Sequence, residues 1–216
     1  MAKAAVDFKM YLITDRTQCG GLRLVDVVED ALKGGVKAVQ LREKDMSGRE
    51  LYELAYDMRK LTAKYDAKLL INDRVDIALA VDADGVHLGQ NSMPVHRVRR
   101  LLGPDRYIGF SCHNQVNAIM AQESGVDFIT FGPVFYTPSK AVFGKPVGVE
   151  KLESVTHVLQ IPVFALGGIK TENIPEVMAA GASGISLVSA VIASEDPRAD
   201  AEAIIAMLST NNSRES

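Results

Sequence analysis

The sequence is short of the features that mark several functional classes. It holds only two cysteines, Cys19 and Cys112, far apart in the chain. That pair provides neither a disulfide framework nor metal-ligand spacing and suits a reducing compartment. No apolar run reaches the roughly 18 residues that a membrane-spanning helix needs. The opening MAKAAVDFKM puts Asp7 and Lys9 where a signal peptide would carry an unbroken apolar stretch, so a cytoplasmic location is expected. A basic excess is also missing. Lys and Arg number 24 against 27 Asp and Glu, a net charge of −3, so no nucleic-acid partner is expected, and an anionic ligand would have to be held by a local group of cations. Pro/Gly/Ser-rich linkers are absent, as are a GxGxxG turn after the first strand and a GxSxG nucleophile elbow.

What the chain does have is one core's worth of apolar residues: 216 residues at 47% hydrophobic can bury roughly 70% of the unfolded surface in a single domain. Eight short apolar runs recur along it, MYLIT, KAVQL, AKLLI, GVHL, YIGF, FITF, PVFAL and GISLV. Between them lie segments with helical spacing, such as Leu24, Val27, Val28, Ala31 and Leu32, which form one stripe of an amphipathic helix. Strand followed by helix, eight times over, predicts an α/β fold, a single (β/α)8 TIM barrel over residues 1–216, in preference to an open doubly wound sheet. The polar tail STNNSRES at 209–216 is expected to fray. The connection from Gly132 to Gly148, with three prolines and little periodicity, exceeds an ordinary barrel loop and suggests a lid.

In such a barrel the reactive groups sit where strands end. In KAVQLREKD, alternation puts Gln40 and Arg42 on the face opposite Val39 and Leu41. With Lys44 close behind, Arg42 makes a clamp for a polyanion, although a solvated charge run explains REKD about equally well. The third run ends in Asn72 and Asp73. Asp73 is either a helix cap or, beside such a clamp, one carboxylate for a metal–pyrophosphate complex. His87 points toward the barrel axis by the same alternation, where a hydrogen-bonded interior role is favoured over a general base. Ser111 and His113 are too close in sequence to form a catalytic relay by themselves. Thr137, Ser139 and Lys140 put two hydroxyls and a cation near the suggested lid, and the glycines of ALGGI let backbone N–H groups approach a phosphate.

Taken in order, YLITD, VQLREKD, LLINDRVDIALAVDADGVHLGQ, IGFSCHN, FGPVFYTPSK, FALGGI and GISLVSA resemble the thiamin-phosphate synthase family, whose members join the pyrimidine and thiazole halves of thiamin. The resemblance runs from Tyr11 to about Val191. It implies a Mg2+-dependent transferase with small-molecule substrates. Hydroxymethylpyrimidine pyrophosphate would be bound by Gln40, Leu41, Arg42, Glu43, Lys44, Asn72, Ser111 and Lys140, with Mg2+ at Asp73. Thiazole phosphate would lie against Thr137, Pro138, Ser139, Gly168 and the backbone of Val188 and Ser189. The implied chemistry is ionisation of the methylene–pyrophosphate bond followed by attack of the thiazole nitrogen, with Arg42, Lys44, Lys140 and Ser111 in catalytic positions. It needs neither a side-chain nucleophile nor a general base.

Two positions depart from the family. Ser139 replaces the usual second Thr of the lid motif and keeps its hydroxyl. Ser92 stands where relatives usually carry a second metal-binding Asp, so weaker Mg2+ binding without substrate is expected, with Asn91, Ser92 or water completing the shell. The alternatives are a thiazole tautomerase, in which His87 or His113 would carry a proton, and a non-catalytic barrel that binds a phosphate ligand. A sugar-phosphate isomerase would need a paired acid and base at the mouth, and the sequence offers none.

Overall fold

A computed structural model describes residues 5–138 and 145–210. All eight apolar runs become strands: β1 (Met10–Ile13), β2 (Ala38–Leu41), β3 (Lys68–Asn72), β4 (Gly85–Leu88), β5 (Tyr107–Cys112), β6 (Phe128–Phe131), β7 (Val163–Leu166) and β8 (Gly184–Leu187). Each pairs in parallel with its sequence neighbour, and β8 returns to β1 to close the barrel. Helices α1 (Leu24–Lys33), α2 (Gly48–Lys64), α3 (Val75–Ala80), α4 (Val95–Leu102), α5 (Gln115–Glu123), α6 (Val149–Val158), α7 (Ile174–Ala179), α8 (Ser189–Ile192) and α9 (Pro197–Thr210) make up the α-helical structure among the described residues, with short 3-10 turns at Arg16–Gln18 and Thr171–Asn173. None is long and apolar enough to cross a membrane.

The strands read as continuous apolar runs because both of their faces are covered. Outward-facing Val39, Leu41, Ile71 and Val86 join the helix stripes in one hydrophobic layer, to which α1 contributes all five of its predicted residues. Ser47 starts α2 with a reciprocal cap: its hydroxyl accepts from Glu50 N at 3.3 Å, and the Glu50 carboxylate accepts from Ser47 N at 2.8 Å. Inward-facing Tyr11, Ala38, Leu70, Tyr107, Phe128 and Phe164 fill the barrel together with Phe8, which precedes β1. The Phe8 and Phe164 rings lie 5.2 Å apart, and Phe128 meets Phe8 edge-on at 5.6 Å, the tilted and T-shaped arrangements that aromatic pairs favour. Below the strands' C-terminal ends the barrel interior is therefore packed with side chains.

Ser209 and Thr210 complete α9, their hydroxyls donating back to the carbonyls of Ile205 and Ala206 at 2.9 Å, and the rest of the tail, residues 211–216, lies outside the described residues.

Candidate active site

The strand ends surround a cavity of about 1130 Å3. Gln40, Leu41, Arg42, Glu43, Lys44, Asn72, Asp73, Ser92, Ser111, Thr137, Pro138, Gly168, Val188 and Ser189 all border it. Ser139 and Lys140 lie outside the described residues, as does the middle of the suggested lid. The described stems of that loop are tied down, with Val134 N and Phe135 N donating to the carbonyls of Leu166 and Gly167 at 2.9 and 3.0 Å.

The cationic wall is set by a buried carboxylate. Glu43, 5% exposed, accepts from the Thr14 hydroxyl at 2.6 Å and from Arg16 N at 3.1 and 3.2 Å. Arg16 Nη1 adds a contact at 3.3 Å while the guanidinium grips Asp45. Thr14 in turn accepts from Arg42 N at 2.9 Å. These bonds fix the turn from which Arg42 and Lys44 project, and neither of those side chains has an ion pair among the described residues. The Leu41 side chain belongs to the outer hydrophobic layer, leaving its peptide group to the cavity.

On the turn after the neighbouring strand β3, Asp73 adopts φ +65°, a left-handed conformation that Asp tolerates better than most residues. The turn is held by Asp73 N on the His87 carbonyl at 3.0 Å and by Arg74 N on the Asn72 carbonyl at 2.7 Å. Asp73 does not cap α3: Arg74 occupies that position and pairs with Asp76 at 2.6 Å. The Asp73 carboxylate has no hydrogen bond or ion pair among the described residues, and no cluster of three His, Cys, Asp or Glu there could hold a metal. The Ser92 hydroxyl accepts from Gly89 N at 2.8 Å. One free carboxylate on a cavity that the amide of Asn91 and the hydroxyl of Ser92 also border is a donor set that fits Mg2+ when a substrate's phosphate oxygens supply the remaining ligands.

Below the mouth lies a neutral polar layer. His87 is buried, and desolvation, with a smaller contribution from the Arg42 charge, pushes its pKa down to about 3. Its Nε2 lies 2.9 Å from the Ser111 hydroxyl and its Nδ1 lies 3.4 Å from the Tyr11 hydroxyl. Ser111 thus pairs with His87 and not with His113, whose Nδ1 meets the Gly132 carbonyl at 2.5 Å. No acid backs the imidazole among the described residues, and burial leaves it too weakly basic to draw a proton from Ser111, so the pair is not a nucleophile–base couple. Gln40 donates to Tyr11 at 3.2 Å.

The opposite wall is made of backbone. A side chain at Gly168 would bring its Cβ to 2.6 Å from the Tyr136 carbonyl, and φ there is +66°, so glycine alone lets the two loops touch. Ser189 opens α8 beside it, where a barrel of this kind places a phosphate.

Sequence reasoning passed over Asp15, Lys170 and Ser186, which also line the cavity. Burial works to raise the Asp15 carboxyl, but hydrogen bonds from Thr17 and Gln18 outweigh it and hold the group below its usual range. Alternation along GISLV put Ser186 on the axial face, a signal that was available.

The family model described as thiamine monophosphate synthase matches residues 10–191. A relative from Geobacter sulfurreducens, provisionally named as a thiamine-phosphate synthase, is 60% identical over 95% of this chain and 96% of its own length. The thiamine-phosphate synthase of Clostridium novyi is 46% identical over 88% of this chain and 94% of its own. Among solved structures, the thiamine phosphate pyrophosphorylase of Pyrococcus furiosus superposes with a TM-score of 0.86 at 38% identity, covering 94% of this chain and 96% of that one.

Proposed function

This chain belongs to the thiamine monophosphate synthase family, and from that premise we propose that it transfers the hydroxymethylpyrimidine group from its pyrophosphate to the nitrogen of thiazole phosphate, releasing thiamin phosphate and pyrophosphate. The observation that carries this function is the meeting, around one cavity, of Arg42, Lys44 and the Asp73 carboxylate, none of which has an ion pair among the described residues. In a slightly acidic chain, two cations and one carboxylate without ion pairs among the described residues, gathered on one cavity, suit a metal-bound polyanion. Asp73, with Asn91 or Ser92, would hold Mg2+ against the pyrophosphate. Mg2+ would supply charge neutralisation on the leaving group.

The residues of the chain then divide the remaining work. Arg42 and Lys44 take up negative charge as the methylene–oxygen bond breaks. Lys140, outside the described residues, keeps its assignment beside them by resemblance. Ser111, anchored on His87, faces the same end. The loops carrying Thr137, Gly168, Val188 and Ser189 would hold the thiazole monophosphate, so that the ring nitrogen meets the methylene carbon. The nitrogen carries no proton, so no base is required, which agrees with a His87 too weakly basic to serve as one. A tautomerase would need such a base. A cytoplasmic location suits the two buried free cysteines.

The test is to incubate purified protein with Mg2+ and both substrates and to follow thiamin phosphate and pyrophosphate. Stoichiometric appearance of the two is expected. Binding of both halves without pyrophosphate release would refute the assignment in favour of a ligand-binding barrel.

A further inference from the structure

Ser186 has the single buried side-chain polar atom that lacks a hydrogen-bond partner among the described residues. It is 1% exposed, yet its residue borders the active-site cavity. Its position on β8 explains both facts. Ile185 and Leu187 face the helices, so Ser186 faces the axis, in register with Tyr11 on β1 and Leu166 on β7. Tyr11 is already engaged by Gln40 and His87, and Leu166 offers nothing polar. A buried hydroxyl without a partner is costly, and alanine would fit the space without that cost. An orphan at the floor of a substrate cavity therefore points to a partner that arrives with the substrate.

Building on the function proposed above, we infer that Ser186 is a specificity-determining residue that donates its hydroxyl hydrogen to a ring nitrogen of the aminopyrimidine. The surroundings favour a flat heteroaromatic ring with a polar edge. Ile13, Leu166 and Val188 supply apolar walls, while Gln40 spends its amide N–H on Tyr11 and keeps its carbonyl oxygen for an amino group. The thiazole half fits this floor poorly. Its one ring nitrogen must stay free to attack, whereas the pyrimidine carries acceptor nitrogens that take no part in bond breaking.

The experiment compares wild type with Ser186→Ala on hydroxymethylpyrimidine pyrophosphate and on its deaza analogues, in which one ring nitrogen at a time is replaced by CH. Free Ser186→Ala should melt no lower than wild type. Its kcat/KM for the pyrimidine should fall by roughly three- to tenfold, the worth of one neutral hydrogen bond. The preference of wild type for the pyrimidine over one of the deaza analogues should shrink by the same factor, with the KM for thiazole phosphate unchanged. Retention of the full preference by Ser186→Ala, or a change confined to thiazole phosphate, overturns the assignment while leaving the synthase function standing. A wild-type protein that forms no thiamin phosphate overturns both.

Discussion

Removing the Glu43 carboxylate should cost stability and catalysis together. The resemblance places Glu43 among the substrate-binding residues, but its side chain is committed to Thr14 and Arg16. Glu43→Ala leaves the Thr14 hydroxyl and the Arg16 N–H without their acceptor in a largely enclosed position. At about 1–3 kcal/mol for each buried group left unpaired, partly offset by water entering the space, the loss should be about 2–4 kcal/mol. At about 3 °C per kcal/mol for a chain of this length, Tm should fall by about 6–12 °C. Because Thr14 also anchors Arg42 N, the cationic turn should loosen, lowering kcat/KM for the pyrimidine pyrophosphate more than tenfold even at temperatures where the variant is fully folded. Glu43→Gln keeps the shape and one acceptor oxygen and should lie between Ala and wild type on both scales. Thermal denaturation followed by steady-state kinetics provides the check. A Glu43→Ala protein with unchanged Tm and a raised KM alone would mean that the carboxylate touches substrate, and the positioning account would fail.

Three further outcomes are expected. Folded His87 titrates near pH 3 and an unfolded histidine near 6.5, so between those values the unfolded chain binds the extra proton and stability falls with acidification. The loss should be about 2 kcal/mol from pH 7.5 to pH 5. Urea melts across that range should show a flatter profile for His87→Gln, and an identical slope would exclude His87 as the source. Asp73→Asn should raise the Mg2+ concentration needed for half-maximal rate, whereas Ser92→Asp should tighten Mg2+ binding to the free protein, as read by calorimetry without substrate. Wild-type metal dependence in both variants would remove these residues from the metal site. Gly168→Ala must relieve both a positive φ and a close approach to Tyr136. It should raise the KM for thiazole phosphate well above that for the pyrimidine substrate, and equal effects on the two would argue against a phosphate-facing role.

The barrel was legible because strands covered on both faces stand out as short, mostly apolar runs, while α1 showed its buried stripe at helical spacing. The rule that chemistry sits at strand ends pointed to Arg42, Lys44 and Asp73, and these residues border one cavity. Roles were harder to read than places. Nothing near Glu43 in the sequence announces that its partners lie on the segment after β1, and the spacing around Asp73 suggested a cap that Arg74 provides instead. Ser111 could be seen beside His113, but only the closed sheet brings it to His87. Ser186 was hidden by its chemistry: in an apolar strand a lone serine looks like a tolerated small residue until its missing partner is seen.

The aromatic plug formed by Phe8, Phe128 and Phe164 also governs traffic. Rings packed below the cavity floor leave the deeper reactant to enter past the place its co-substrate will take, so product-inhibition patterns should report a preferred order of arrival, the deeper half first.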